Sequence, residues 1–163
     1  ALPAVQRDLA AGTAAVQWVS NAYLLTLGAL VLIGGAAGDR FGRRRVFLIG
    51  VAIFALASIG CALAPTVQAL VAGRAIQGIG AALLTPGALA VIGATLPPEE
   101  RGKAFGTWAD FGALTGMVGP LIGGWLADAA DWRAIFWINV PLAILTAVVT
   151  LAATPESLSL IHI

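Results

Sequence analysis

Gly34-Gly35-Ala36-Ala37-Gly38-Asp39-Arg40-Phe41-Gly42-Arg43-Arg44-Arg45 joins two long apolar runs, and its order decides how the chain is read. Small residues close the first run. An acid, a glycine and a basic run follow before Val46 opens the next apolar stretch. Small side chains let helix backbones approach closely. Gly42 suits a tight turn that requires positive φ. Asp39 and Arg43 lie four apart, so one helical turn brings them together. A basic anchor at a membrane surface explains the arginines. It does not explain the ordered Gly, Asp and Gly.

On either side of this segment the charges thin out. Five stretches, 16–37, 46–64, 67–95, 104–127 and 134–153, are long and apolar. A transmembrane helix needs about 20 such residues. A soluble helix would show a charged face, and these stretches are apolar all round. The composition agrees: 60% of residues are hydrophobic and 10% charged, against roughly 25% charged in a soluble domain. The predicted fold class is therefore an all-α membrane protein. A net charge of +1 excludes a polybasic binder, so no nucleic-acid partner is expected. The single cysteine, Cys61, excludes a disulfide framework and a cysteine-built zinc site. Catalytic pairs, metal-ligand spacings and phosphate-binding loops are missing from the sequence, so no enzyme activity, metal or cofactor is expected.

Loops 38–45 and 97–103 hold six of the nine Lys and Arg residues. Basic loops face the cytoplasm, which puts residues 1–15 outside. Trp18, Trp125, Trp132 and Trp137 then fall near outer ends of spans, as an aromatic belt, with Trp108 near the inner interface. Eight arginines to one lysine point to a GC-rich bacterial gene, hence to the plasma (inner) membrane of a bacterium. The start shows neither an initiator Met nor a signal peptide, and a preceding helix is expected. Residues 1–156 read as a partial transmembrane domain and 157–163 as a loose or foreign tail, whose His162 is given no role.

Arg74, with Gln77, Gly78 and Gly80, is the second informative cluster. A charge inside a span costs about 2.5–3.5 kcal/mol at mid-membrane on the insertion scale, which marks it as a functional candidate. Gln77 follows at i+3 on the same face. The competing reading is an arginine that snorkels to the outer interface. Asp110 lies two turns into the fourth span. Burial would make it a proton carrier; pairing with Lys103 or hydration at the inner interface is the preferred alternative. Glycines 112, 116, 119 and 123 form small-xxx-small seams in the same span, and Pro120 favours a kink. Asn21 and Tyr23 in the first span, with Asp110, are candidates for lining a substrate path.

Together these residues resemble the major facilitator superfamily, and within it the fourteen-helix drug:proton antiporters. Gly35-x-x-x-Asp39-Arg40-x-Gly42-Arg43-Arg44 is similar to the signature loop between helices two and three. Arg74-Ala75-Ile76-Gln77-Gly78 resembles the helix-four motif of proton-coupled members, whose Arg is implicated in proton transfer. Gly119-Pro120-Leu121-Ile122-Gly123-Gly124 resembles the helix-five antiporter motif, although the expected Gly four residues before Gly-Pro is here Thr115. Trp132-Arg133-Ala134-Ile135-Phe136-Trp137-Ile138-Asn139-Val140-Pro141 is similar to the approach to helix six.

The resemblance implies a major facilitator-type bundle, with the five spans as helices two to six of an N-terminal six-helix half. It implies a gating charge cluster of Asp39 and Arg43 with Glu99 or Glu100. It also implies proton-coupled export of drugs or other small amphipathic compounds. Protons, a small-molecule substrate, the lipid bilayer, a first helix and a C-terminal half would be the partners, and the coupling carboxylate would lie in that first helix near Arg74. The alternatives are an exporter of a metabolite, peptide or siderophore on the same fold, and a non-transporting membrane receptor or scaffold.

Overall fold

Seven helices and no strand make up the part of the chain that the computed structural model describes, residues 2–129 and 131–153. The tail 157–163 lies outside the described residues. A short α1 (Leu2–Asp8) precedes α2 (Thr13–Phe41), α3 (Arg43–Ala62), α4 (Val67–Thr95) and α5 (Pro98–Ala129). Two pieces separated by a turn at Ile138, α6 (Ala134–Trp137) and α7 (Asn139–Ala153), complete the chain. Among the described residues four segments are long and apolar enough to cross a membrane: Thr13–Phe41, Arg43–Ala62, Val67–Ala90 and Ala134–Ala152. The 32 residues of α5 have the length. Their glycines and polar side chains leave α5 outside that set.

The connection at 38–45 is shorter than the sequence implies. Helix α2 continues through Asp39 and Arg40 to Phe41, and α3 starts at Arg43, so the turn is a single residue. Gly42 has φ 98° and ψ 123°, a conformation that strains any residue with a Cβ. Its N–H still bonds the Gly38 carbonyl at 3.1 Å. The loop at 97–103 is also mostly helical. Pro98 takes the first position of α5, where a missing N–H leaves no bond unmade. At the other end of the bundle, Thr66 Oγ1 accepts a 3.2 Å bond from the Ala69 N–H and caps α4.

Helix α4 is the centre of the packing, gripped by α2 on one side and α3 on the other. Glycines make both approaches possible. Pro86 has no N–H to offer the Ala82 carbonyl one turn back. That carbonyl lies against Gly34 of α2, and a Cβ at Gly34 would overlap its oxygen and come within 2.9 Å of its carbon. Gly80 and Gly50 face one another in the same way. A Cβ on Gly80 would meet the Phe54 nitrogen at 2.7 Å, and one on Gly50 the Gly80 oxygen at 3.0 Å. With apolar lipid on the outside, such close contact is what holds membrane helices together.

Much of the remaining surface is apolar. Leu32, Met117 and Leu121 are 84%, 73% and 74% exposed. In water such a surface would drive association; in lipid it matches its solvent. The protein is a multi-pass membrane protein. One aromatic departs from the expected belt. Trp132 is buried, with its ring edge-on to Phe136 and its body among Val5, Val16, Val19, Cys61 and Leu70. The approach to α6 folds back over the end of the bundle that holds the α3–α4 turn and carries the indole inside.

Candidate functional site: a half-buried arginine and the polar side chains behind it

Arg74 lies seven residues past the start of α4, about 10 Å along its axis at 1.5 Å per residue. Its guanidinium turns toward α2. Nε donates to the Val19 carbonyl at 3.1 Å. The guanidinium carbon stands 4.2 Å from the centre of the Tyr23 ring, so the cation rests on a π face. Nη1 donates to Gln77 Oε1. Among the described residues no carboxylate pairs with Arg74, and Nη2 is left without a partner. A backbone carbonyl, an amide oxygen and an aromatic face thus hold the charge, all of them neutral.

Gln77 is fully buried. Its Nε2 donates to Ser58 Oγ on α3 at 2.7 Å. Ser58, also fully buried, donates its own hydrogen to the Phe54 carbonyl at 2.8 Å. Asn139, the first residue of α7, donates to the same Ser58 oxygen at 3.4 Å. No buried side-chain polar atom among the described residues lacks a partner, as expected where an unmade bond is costly. The sequence singles out Arg74 and Gln77 as one cluster and Tyr23 as a substrate-path candidate, and it does not link Ser58 or Asn139 to them. The available signals were a serine alone in an apolar run and an amide beside Pro141, and neither spacing singles out its partner.

Asp39 and Arg43 meet across Gly42. Arg43 Nη2 and Nε donate to Asp39 Oδ1 at 3.0 and 3.2 Å, and Nη1 reaches the Ala90 carbonyl of α4 at 3.4 Å. Arg43 therefore ties the α2–α3 turn to α4. With Gly34, Gly35, Gly38 and Pro86 it borders a cavity of about 180 Å³. Arg40 lies over Phe41, and Arg44 donates to the Leu151 carbonyl of α7 at 3.3 Å. Glu99 and Glu100 open α5, and among the described residues neither reaches Asp39 or Arg43. Asn21 and Asp110 are exposed, and Asp110 makes no pair with Lys103. Gly119 and Gly124 of α5 face open space, and a Cβ at Gly123 would touch only Ile135, at 4.0 Å. The small-residue face around Pro120 has no close neighbour among the described residues.

The end of the bundle that holds the α3–α4 turn carries an ion pair that the sequence did not reveal. Arg133 Nη1 meets Asp8 Oδ2 at 2.6 Å, and the Trp132 indole donates to the same oxygen at 3.1 Å. Arg133 also reaches the Ala64 carbonyl at 3.3 Å. The Arg133 guanidinium, and to a lesser degree the Trp132 N–H, hold the Asp8 carboxyl below the usual aspartate range.

Apolar helices packed around a half-buried, neutrally partnered arginine, with a charge pair across a glycine turn at one end, define a helical membrane bundle. The chain matches the Major Facilitator Superfamily over residues 1–160, and it belongs to that family. It is 47% identical to the puromycin resistance protein of Streptomyces alboniger, over 89% of this chain and 29% of that protein. It is 43% identical to the tetracenomycin C resistance and export protein of Streptomyces glaucescens, over 87% and 26%. Identity is 40% to the methylenomycin A resistance protein of Bacillus subtilis, over 100% and 36%. The chain thus spans between a quarter and about a third of the length of these curated relatives. Its fold is shared with the peptide transporter POT in complex with sulfate, at TM-score 0.79 and 22% identity over 88% of this chain and 30% of that one. It is shared too with the inward-open xylose transporter XylE from E. coli, at TM-score 0.76 and 24% identity over 96% and 43%.

Proposed function

We propose that the chain is part of a proton-coupled exporter of small amphipathic or cationic compounds. On this reading residues 1–156 supply helices two to six of its N-terminal half, with the stretch 104–127 of α5 as a span. Residues 1–15 face outward and loops 38–45 and 97–103 face the cytoplasm of a bacterial plasma membrane. The names of the relatives, which speak of resistance and export, support the substrate class. The observation that carries the mechanism is Arg74. A half-buried guanidinium held by neutral groups, with no carboxylate beside it among the described residues, favours the ionised form of any carboxylate brought to it. A carboxylate on a preceding helix would release its proton when it approaches Arg74 and rebind it on leaving. Rocking of two halves about a midplane site would link that exchange to drug movement.

The gating residues Gly35, Asp39, Arg40, Gly42, Arg43 and Arg44, with Glu99 and Glu100, would stabilise one end state of this rocking. Gly119, Pro120, Gly123 and Gly124 would give α5 a face for the first helix. The test is drug-driven proton movement in vesicles carrying the full-length transporter. Arg74→Ala should insert normally and lose the coupled exchange. Undiminished exchange in that variant would exclude the mechanism.

A further inference from the structure

Three polar side chains stand behind Arg74, namely Gln77, Ser58 and Asn139, and their hydrogen-bond chemistry is directional. Arg74 is a donor only, so Gln77 must present Oε1 to it. The Gln77 NH2 then points at Ser58, whose hydroxyl must accept. Ser58 is restricted to accepting, because its single hydrogen goes to the Phe54 carbonyl at 2.8 Å. Its lone pairs take Gln77 Nε2 at 2.7 Å and Asn139 Nδ2 at 3.4 Å. The demands from both ends of Gln77 therefore agree on one amide orientation. Remove the Ser58 oxygen and one of them disappears. A buried NH2 without an acceptor is costly, so the amide would rotate or pull back, and the acceptor held against Arg74 would be lost.

We propose that Ser58 is a positioning residue for Arg74: it fixes the Gln77 amide that holds the guanidinium, and Asn139 ties the same hydroxyl to α7. The proposal rests on the reading of Arg74 as the coupling group. It adds that the direction of Arg74 depends on α3 and on the first turn of α7, neither of which hydrogen-bonds the arginine among the described residues. Among the described residues the titratable groups facing Arg74 from the elements packed around it are Tyr23 of α2 and Cys61 of α3, so a pH response must be compared in variants that keep both.

The test uses the full-length transporter in proteoliposomes, with Ser58→Ala, Ser58→Thr and Asn139→Ala. Phenylglyoxal modification of Arg74, followed by peptide mass spectrometry, reads how firmly the guanidinium is held. The pH profile of drug-driven proton exchange reads what that hold does. Ser58→Ala should raise the modification rate about fivefold, the population effect of one lost hydrogen bond. It should also displace the pH profile while the drug KM stays within about twofold of wild type. Asn139→Ala should shift both readouts in the same direction by less, and Ser58→Thr, which keeps the oxygen, should restore them.

A wild-type modification rate and pH profile in Ser58→Ala would overturn the proposal. If Ser58→Ala does not insert, Ser58→Cys, whose sulfur is a weak acceptor, takes its place with the same two outcomes. Should the wild-type protein move drug without protons, the proposed function falls, and the modification rates still decide the relay by themselves.

Discussion

Arg133 Nη1 stands 2.6 Å from Asp8 Oδ2, an ion pair between residues 125 positions apart in the chain. The same guanidinium lies 4.3 Å from the Trp132 ring centre and reaches the Ala64 carbonyl. One side chain thus joins α1, the α3–α4 turn and the approach to α6. Exposed ion pairs contribute little when isolated, but this one closes over a buried indole. Arg133→Ala should therefore lower the Tm of the detergent-solubilised protein by a few degrees and raise the exposure of Trp132 to a fluorescence quencher. Asp131, whose Oδ2 is 3.6 Å from the same nitrogen, should matter less, so Asp131→Asn is the matched control. Equal effects from the two substitutions would deny the Asp8 pair its special place.

The same pair predicts a pH dependence. The Arg133 bond first, and the Trp132 bond second, hold Asp8 below its ordinary value of 3.8. A depressed carboxyl stabilises the fold above its unfolded value and loses that contribution as pH falls through the folded one. The Tm gap between wild type and Asp8→Asn should be full at neutral pH and should close only below about pH 3.8, as the carboxyl protonates. Asp131 also faces Arg133, so the comparison is made with Asp131 intact. A gap that closes between pH 5 and 7 would mean that another group titrates.

Close helix contact makes a third prediction. A Cβ at Gly78 would overlap Thr26 Oγ1 and come within 2.6 Å of the Tyr23 carbonyl oxygen, while one at Gly60 meets nothing within 4 Å. Backbone cannot withdraw as a flexible side chain can. Gly78→Val and Gly34→Val should each destabilise by about 3 kcal/mol or more, at the upper end of overpacking. Gly60→Ala should be neutral or stabilise by up to about 1 kcal/mol, since alanine is the better helix former. Thermal unfolding in detergent separates these outcomes. A Gly34→Val protein as stable as wild type would mean that α2 and α4 are not in contact there.

The reach of the sequence is visible in these residues. The apolar runs gave the helices, because 20-residue periodless hydrophobicity has few other meanings. Gly42 and the Asp39–Arg43 spacing gave the turn and its ion pair, because both are local. Arg74 stood out as a charge in an apolar run. Ser58, Asn139 and the Asp8–Arg133 pair did not, because each matters only through residues far away in the chain, and hydropathy carries no such pairing. Trp132 was misplaced for a related reason. An aromatic at the end of a span reads as an interfacial anchor, and only the fold of the preceding loop turns it inward.

Arg43 permits a sharper test than charge removal. It sends Nη2 and Nε to one Asp39 oxygen, at 3.0 and 3.2 Å, and Nη1 to the Ala90 carbonyl at 3.4 Å. That fork spans the Gly42 turn and the neighbouring α4 at once. A lysine keeps the charge but has a single nitrogen at the end of a flexible stem. It can satisfy Asp39 or Ala90 well, not both. If the tie between turn and α4 governs switching, Arg43→Lys should slow drug exchange by about tenfold, the kinetic equivalent of roughly 1.4 kcal/mol, and Asp39→Asn should do the same. Arg44, which among the described residues makes one hydrogen bond, to the Leu151 carbonyl, should tolerate lysine with exchange within about twofold of wild type. The measurement is the initial rate of exchange in proteoliposomes at matched protein levels. Wild-type rates in Arg43→Lys would show that a positive charge at this position is enough. The three-donor geometry would then be a feature of the fold with no part in the transport cycle.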